Sequence, residues 1–494
     1  MAMILVPLLA PLVAALAAAL AGWRRAVAWL TVAASGAILL SGILAGVTTA
    51  DGSALALAGA LRIDALSSVM LLVIGAVGVI ATWSGIGYLE NELATGHTDA
   101  RLARRYGVLV PLFLAAMVAA VLASNLGVMW AAVEATTIVT AFLVGHKGGR
   151  AAVEATWKYV IICSVGIALA YLGTVLVYYA SQHAGMAEGS LDWSVLVAHA
   201  EQLDPGVMRI AVALIVLGFG TKAGLVPMHS WLPDAHGQAP APVSALMSGV
   251  LLSVAVYALL RYRVIAVASV DPAFVRTLVL VVALASLAVA ASLMIAQRDY
   301  KRLLAYSSIE HMGLVMIGVA VGTRLAVAAL LLHVVGHGIA KAVLFCSSGQ
   351  ILAAEGTTQI SGVRGLLARR PVLAGTFALG FAALLGLPPF SLFASELSLA
   401  RSAADAGLSW VVVVALLLLL VIFAVVAAHV AGMLLGGGGG DRERVGVPPG
   451  PEAARRQEWV APLVSGLVLL AVLGTVAWPL DRLLEAAAVI GGTP

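Results

Sequence analysis

Apolar runs follow one another almost end to end through this 494-residue chain, and they decide its solvent. Fourteen can be read, at approximately 2–22, 25–48, 65–88, 106–123, 125–145, 157–180, 207–228, 243–262, 274–296, 303–322, 326–352, 372–394, 409–436 and 458–478. A hydrocarbon core roughly 30 Å thick takes about 20 helical residues to cross, so each run is close to one span. Charged residues make up only 11% of the chain, well below globular usage of about 25%, which excludes the soluble domains its length alone would permit. Connections are short, so residues 1–494 are expected to form a single all-α transmembrane domain. Alternation with period two is absent from the runs, and a closed barrel is not expected. The opening "MAMILVPLLAPLVAALAAAL" lacks the basic region of a cleavable leader and reads as the first helix.

Basic residues set the expected orientation. With the "WRR" loop in the cytoplasm, loops on that side carry 18 of the 28 Lys and Arg, the opposite loops carry 8, and Lys222 and Lys341 lie inside apolar runs. The positive-inside rule then puts both termini outside, in the inner membrane of a prokaryotic cell. The net charge of +4 belongs to these loops and does not indicate nucleic acid.

Cys163 and Cys346 are the two cysteines, and both fall in apolar runs. Iron–sulfur spacing, zinc clusters and Gly-rich phosphate loops are missing from the sequence, so no cofactor is expected on this chain.

The seventh run enters "FGTKAGLVPMHSWLPDAHGQAPAPVSALMSGV", which sets Lys222, His229, Asp234 and His236 among prolines. The twelfth enters "LLGLPPFSLFASE". Proline removes a hydrogen-bond donor and clashes with the preceding turn, so breaks are expected at Pro227 and Pro233 and at Pro388 and Pro389. Three N-terminal helices (1–105) then precede five helices at 106–262 and five more at 274–436. Five is odd, so the second set crosses in the opposite sense, the inverted-repeat pattern of transporters with broken helices near the midplane. Residues 437–457, rich in Gly, Pro and charge, read as a flexible cytoplasmic loop, and 458–494 as helix 14 and a tail.

Ionisable residues inside a bilayer cost several kcal/mol and are by default functional. Glu134 lies near the middle of the fifth run, where local satisfaction by Thr136 or Thr137 is the plain alternative. Lys222 lies just before the first break, and Glu310 with His311 lies in the tenth run. In the eleventh run His333, His337 and Lys341 recur every four residues, each displaced from the last by about 40° and about 6 Å, so they form a titratable stripe. His429 in the thirteenth run reads as a hydrogen-bonded core histidine. Of the 28 basic residues 23 are Arg, yet both in mid-run are Lys. Arginine keeps its proton at any accessible pH, whereas a buried lysine can release one. Opposite charges about 7 Å apart at an effective dielectric near 20 interact by roughly 2–2.5 kcal/mol, enough for Glu134 to bias the protonation of Lys222.

At these residues the chain closely resembles the proton-translocating antiporter-like membrane subunits of respiratory complex I, hydrogenase-4 and formate hydrogenlyase complexes, and multisubunit sodium/proton antiporters. "NLGVMWAAVEATT", "KAGLVPMHSWLPDAHGQAPAPVSALMSG", "RDYKRLLAYSSIEHMG", "HVVGHGIAKAVLFCSSG" and "GLPPFSLFASE" occur in family order. "LLAYSSIEHMG" looks most like the hydrogenase-4 component F type. The resemblance implies a relay in which Glu134 tunes Lys222, His229 and Glu310 take part, His333, His337 and Lys341 are central, and Glu396 is the exit-side group. It implies partners as well: other membrane subunits and a peripheral redox arm, in the bilayer, with protons as cargo and Na⁺ as the second candidate ion. Family members commonly carry lysine in the eighth helix where this chain has Ser253 in "GVLLSVAVYALLR". A hydroxyl holds water but stores no charge near neutral pH. Three readings remain open: a proton-translocating subunit of a redox-driven complex, a sodium/proton antiporter module, and a non-pumping scaffold.

Overall fold

The computed structural model describes residues 2–48, 52–184, 189–436, 460–476 and 480–492. The loop expected at 437–457 lies outside the described residues. The helices run α1 (Ala2–Ala21), α2 (Arg25–Thr48), α3 (Ala65–Ala94), α4 (Ala100–Leu122), α5 (Leu126–Val144), α6 (Gly149–Gln182), α7 (Trp193–Ala198), α8 (Pro205–Lys222) and α9 (Trp231–Gln238). They continue as α10 (Ala241–Leu246), α11 (Leu252–Ser269), α12 (Pro272–Ile295), α13 (Tyr300–Val321), α14 (Arg324–Glu355), α15 (Leu366–Arg369), α16 (Pro371–Leu384), α17 (Ser391–Asp405) and α18 (Ser409–Leu435). Helices Ala461–Thr475 and Leu480–Gly491 close the described chain.

Among the described residues twelve helices are long and apolar enough to cross a bilayer, or thirteen if the last two form one broken span. The expected fourteen differ because the twelfth run is divided into α16, 14 residues long, and α17, while Ala461–Thr475 has only 15 residues. Strand structure, unexpected from the sequence, appears as a two-stranded antiparallel hairpin, β1 (Ala54–Ala56) with β2 (Leu61–Ile63), registered Ala54 to Ile63. Its turn places Leu57 and Ala58 at positive φ without the Asn-Gly or Asp-Gly pair that usually announces such a turn.

Local chemistry explains the helix starts. Asp64, Asp99, Asn125, Asp204, Asp271 and Asp299 each accept a backbone N–H of the first turn, satisfying donors that would otherwise be stranded at the helix end. Pro205 and Pro272 follow two of these caps at the first helical position, where the missing N–H costs nothing. The cap at Asp99 also explains why α4 begins six residues before its apolar run: its first two turns hold Arg101, Arg104 and Arg105 and are invisible to hydropathy.

The centre of the molecule is α14. It packs against α3, α10, α13, α16, α17 and both terminal helices, so its polar stripe is enclosed on every side. Residues 247–251 between α10 and α11 form a π-helical turn. There Gly249 meets Gly338 of α14: an added Cβ at Gly249 would lie 2.8 Å from the Gly338 carbonyl oxygen. Small residues at such contacts let two backbones approach and maximise dispersion in lipid. The outer faces of α18, α6 and α1 expose Leu416, Leu420, Trp157, Ile161, Leu16 and Leu20, as a lipid-facing surface requires.

Two arginines counted with the outer loops are in fact buried. Arg261 donates through Nη2 to both Asp64 oxygens at 2.7 Å, donates through Nε to the Tyr257 hydroxyl at 3.1 Å, and lies 4.5 Å from the Trp193 ring centroid. Arg263 donates to the Gly491 carbonyl at 3.2 Å. Both sit near the C-terminal end of α11 and tie it to α3 and to the last helix. Lysine is therefore not the only buried base; it is the one used where the stripe runs.

Candidate functional site

α8 stops at Lys222 through three backbone hydrogen bonds: Ala223 to Phe219, Gly224 to Thr221 and Leu225 to Gly220. Gly224, at φ +76°, supplies the left-handed residue that such a stop needs. Pro227 lies in the interruption that follows. Pro233, expected to break the helix, instead sits in the first turn of α9, where a proline withholds no needed donor. The new helix is tied back to the old one by Trp231, whose indole N–H donates to the Thr221 carbonyl at 2.9 Å.

Lys222 is fully buried and donates to the Tyr159 hydroxyl at 3.0 Å, which shares a 2.5 Å hydrogen bond with Thr140. Glu134 interacts electrostatically with Lys222 and is half-buried. The Thr137 hydroxyl donates to its Oε2 at 2.9 Å, so the local satisfaction weighed from sequence is present as well. Nothing in the sequence singles out Tyr159, one of four tyrosines in the sixth run. His229 is half-buried in the break, while Asp234 pairs with Lys158 at 3.1 Å and Arg302 at 2.9 Å. His236 is the enclosed histidine of this stretch. It is fully buried, stacked 5.0 Å from Phe345, and neither ring nitrogen has a hydrogen-bond partner among the described residues.

The second break repeats the first bond for bond. Leu385 donates to Phe381, Gly386 to Ala383 and Leu387 to Ala382, and Gly386 stands at φ +65°. Pro388 and Pro389 occupy the interruption, and α17 starts at Ser391. One turn on, Glu396 lines a cavity of about 330 Å³ with Leu314, Ile317, Gly386 and Phe393.

Six titratable groups converge beside it. Lys341 donates to the Leu304 carbonyl at 2.8 Å and to the Ser307 hydroxyl, and interacts electrostatically with Glu310. Glu310 Oε2 lies 4.0 Å from His311 Nε2. His311 Nδ1 lies 3.0 Å from His333 Nε2, and His333 Nδ1 lies 3.0 Å from the Ser395 hydroxyl. The His337 ring is centred 5.1 Å from that of His311. One ligand-type atom each from His311, His333 and Glu396 lies within 4.8 Å of the others. The stripe therefore reaches Glu396 through His333, with Lys341 at its far end.

Among the described residues no direct hydrogen bond joins the Lys222 group to this cluster. Ser253, the position where family members carry lysine, is buried and its hydroxyl reaches the Gly249 carbonyl at 3.4 Å. A second hydroxyl pair, Ser248 with Ser308 at 2.7 Å, connects the π-helical turn to α13 one residue from Ser307. Serine pairs of this kind carry no pattern in sequence that would have singled them out. His429, by contrast, is half-buried and hydrogen-bonded to the Val425 carbonyl of its own helix at 2.7 Å. Cys163 and Cys346 are buried and unpaired.

Two further cavities lie elsewhere in the molecule. One of about 520 Å³ is lined by Glu154, Lys158, Asp234 and Arg302, and one of about 470 Å³ by Tyr88, Glu92, Lys147, Pro242 and Cys346. Buried, closely spaced groups of alternating acid and base character, with a cavity beside Glu396, can pass protons by successive local transfers.

Comparison with known proteins agrees in extent and in kind. Residues 123–422 match the family described as NADH:quinone oxidoreductase/Mrp antiporter, transmembrane. The chain is 38% identical over 343 residues to a hydrogenase-4 component F homolog of Methylacidiphilum infernorum, covering 69% of this chain and 72% of that one. It superposes on a chain of respiratory complex I from Thermus thermophilus with a TM-score of 0.78 at 25% identity, covering 100% of this chain and 99% of the other. A chain of the Mrp complex from Dietzia sp. matches in fold with a TM-score of 0.83 at 22% identity, over 99% and 96%. A multi-pass helical chain with broken spans and a buried Lys, His and Glu series, matched over most of its length, is thus a member of the NADH:quinone oxidoreductase/Mrp antiporter transmembrane family.

Proposed function

We propose that this chain is the proton-translocating membrane subunit of a redox-driven complex, with electron transfer carried by partner subunits. The observation that carries the reading is the series Lys341, Glu310, His311 and His333, in which each member meets its neighbour by a hydrogen bond or an electrostatic contact, with Glu396 within 4.8 Å of His311 and His333 at its end. Protons enter from the cytoplasmic side by way of His229 and His236 and load Lys222 under the field of Glu134. They cross by Ser253 at the start of α11 and Ser248 in the π-helical turn, pass through Lys341, Glu310 and the three histidines, and leave at Glu396. Buried ionisable groups in a membrane are expensive, and a relay is what repays their cost.

The chain forms one domain with inverted repeats at 106–262 and 274–436. Supporting this, the two helix stops share their hydrogen-bond pattern, from Phe219 in one and Phe381 in the other. Both termini lie outside the inner membrane of a prokaryotic cell, as the arginine-rich loops imply. The deciding experiment replaces Lys222 by Ala in the assembled complex and measures proton uptake into vesicles at unchanged redox turnover. Loss of uptake supports the relay; uptake at the original stoichiometry sinks it.

A second reading, a subunit of a sodium/proton antiporter without a redox partner, draws on the likeness in fold to the Mrp complex. Proton flux driven by an imposed Na⁺ gradient, in vesicles lacking any electron donor, separates the two.

A further inference from the structure

We infer that His311, His333 and Glu396 form a binding site for a transition-metal dication, Zn²⁺ being the best match, at the end of the polar stripe. Three different helices supply the ligands: α13 gives His311, α14 gives His333 and α17 gives Glu396. The inner ring nitrogens already face one another, His311 Nδ1 and His333 Nε2 at 3.0 Å. Two Zn–N bonds of about 2.0–2.1 Å need donors about that far apart, so one ion can replace the shared proton with little movement. A carboxylate oxygen of Glu396 within 4.8 Å of one ring nitrogen of each histidine completes a two-histidine, one-carboxylate set after side-chain adjustment.

The outer nitrogens strengthen the case. A metal-bound histidine normally gives its second ring nitrogen to a carboxylate or hydroxyl, which fixes the ring and the tautomer. Here His333 Nδ1 lies 3.0 Å from the Ser395 hydroxyl, and His311 Nε2 lies 4.0 Å from Glu310 Oε2. His333 thus has its outer edge hydrogen-bonded and His311 has a carboxyl group near its own, while the inner nitrogens converge. Glu310 and Glu396 set two carboxyl groups about the site, and the Lys341 amine faces Glu310 from the other side. Imidazole with carboxylate suits Zn²⁺ and its neighbours and does not suit Na⁺ or K⁺. Glu396 also lines the cavity of about 330 Å³, together with Gly386, Phe393 and Leu397.

Occupancy would hold the last three relay groups in their deprotonated states, since a metal binds neutral imidazole and carboxylate. Zn²⁺ is therefore an inhibitor of proton release; that consequence rests on the relay proposed above, whereas the binding itself does not. The test uses the full chain in its assembled complex, without a polyhistidine tag. Zn²⁺ or Co²⁺ is titrated, bound metal is counted by elemental analysis, and the Co²⁺ visible spectrum reports the ligand set. One metal per chain is expected, abolished by His333→Gln and by Glu396→Gln, weakened roughly tenfold by Ser395→Ala, and unchanged by His429→Gln. Binding that survives both His333→Gln and Glu396→Gln, or no binding at all, overturns the site. Binding that follows these variants while proton uptake ignores Zn²⁺ upholds the site and overturns the relay instead.

Discussion

The two interrupted spans have the same backbone and different chemistry. Each stops at a glycine of positive φ, with hydrogen bonds at identical spacing, and each resumes after a proline-containing gap. Aligned on Phe219 and Phe381, Lys222 falls opposite Leu384 and Asp234 opposite Glu396. Lys222 is buried against Tyr159, whereas Leu384 is an ordinary core residue. Asp234 is neutralised by Lys158 and Arg302, while Glu396 sits beside two histidines. The motif Gly-Leu-x-Pro makes the break; the charge placed on either side of it is chosen independently. One break holds a base before the gap, the other an acid after it, and a relay needs both.

Four sets of substitutions can break or sharpen that contrast. Lys222→Ala is expected to lower proton uptake on the order of 100-fold, the scale of losing a proton-transfer group, while Leu384→Ala at the matching position leaves uptake unchanged. Equal losses from both would mean that the break and not the amine is what matters. Next, Glu396→Gln should reduce uptake by roughly tenfold or more, against less than about twofold for Asp234→Asn, whose partly exposed ion pairs contribute about 0–1 kcal/mol. Uptake assays in vesicles at fixed redox turnover read both.

Gly224→Ala and Gly386→Ala test the shared backbone. Each puts a side chain at positive φ, costing about 1–3 kcal/mol, and each added Cβ collides with a neighbour, Leu232 Cδ1 in the first break and the Glu396 carboxylate in the second. Thermal unfolding in detergent should show matched destabilisation; a large difference would mean that the breaks are alike in form only. The smallest effect is expected at Ser253→Ala. Its hydroxyl makes one long hydrogen bond to Gly249, so stability should fall by less than about 1 kcal/mol, and uptake by a few-fold if water uses the hydroxyl as a step.

Much of this architecture is legible in the sequence because the bilayer imposes a simple rule: apolar length gives spans. Helix breaks were legible where glycine and proline coincide, and the stripe at His333, His337 and Lys341 because spacing by four puts side chains on one helix face. Legibility failed where satisfaction is nonlocal. Pro233 looked like a breaker and proved to be a helix starter, because its role depends on where the preceding helix stopped. Arg261 looked like a loop charge, yet Asp64, nearly two hundred residues earlier, draws it inward. Tyr159 had no pattern to mark it, since its hydroxyl matters only once Lys222 is packed against it.

The sequence by itself determined that the chain spans a membrane, which residues are ionisable within it, and where two helices must break. Spacing along one strand of chain cannot say which ends meet. Only the tertiary structure decided that Glu396 closes on His311 and His333 and not on Lys341, and that the Lys222 group and the histidine cluster are separated by the serine-lined turn beside α14. The reason is geometric: periodicity fixes one helix face, while contacts among α13, α14 and α17 depend on how breaks, caps and glycine approaches add up in space.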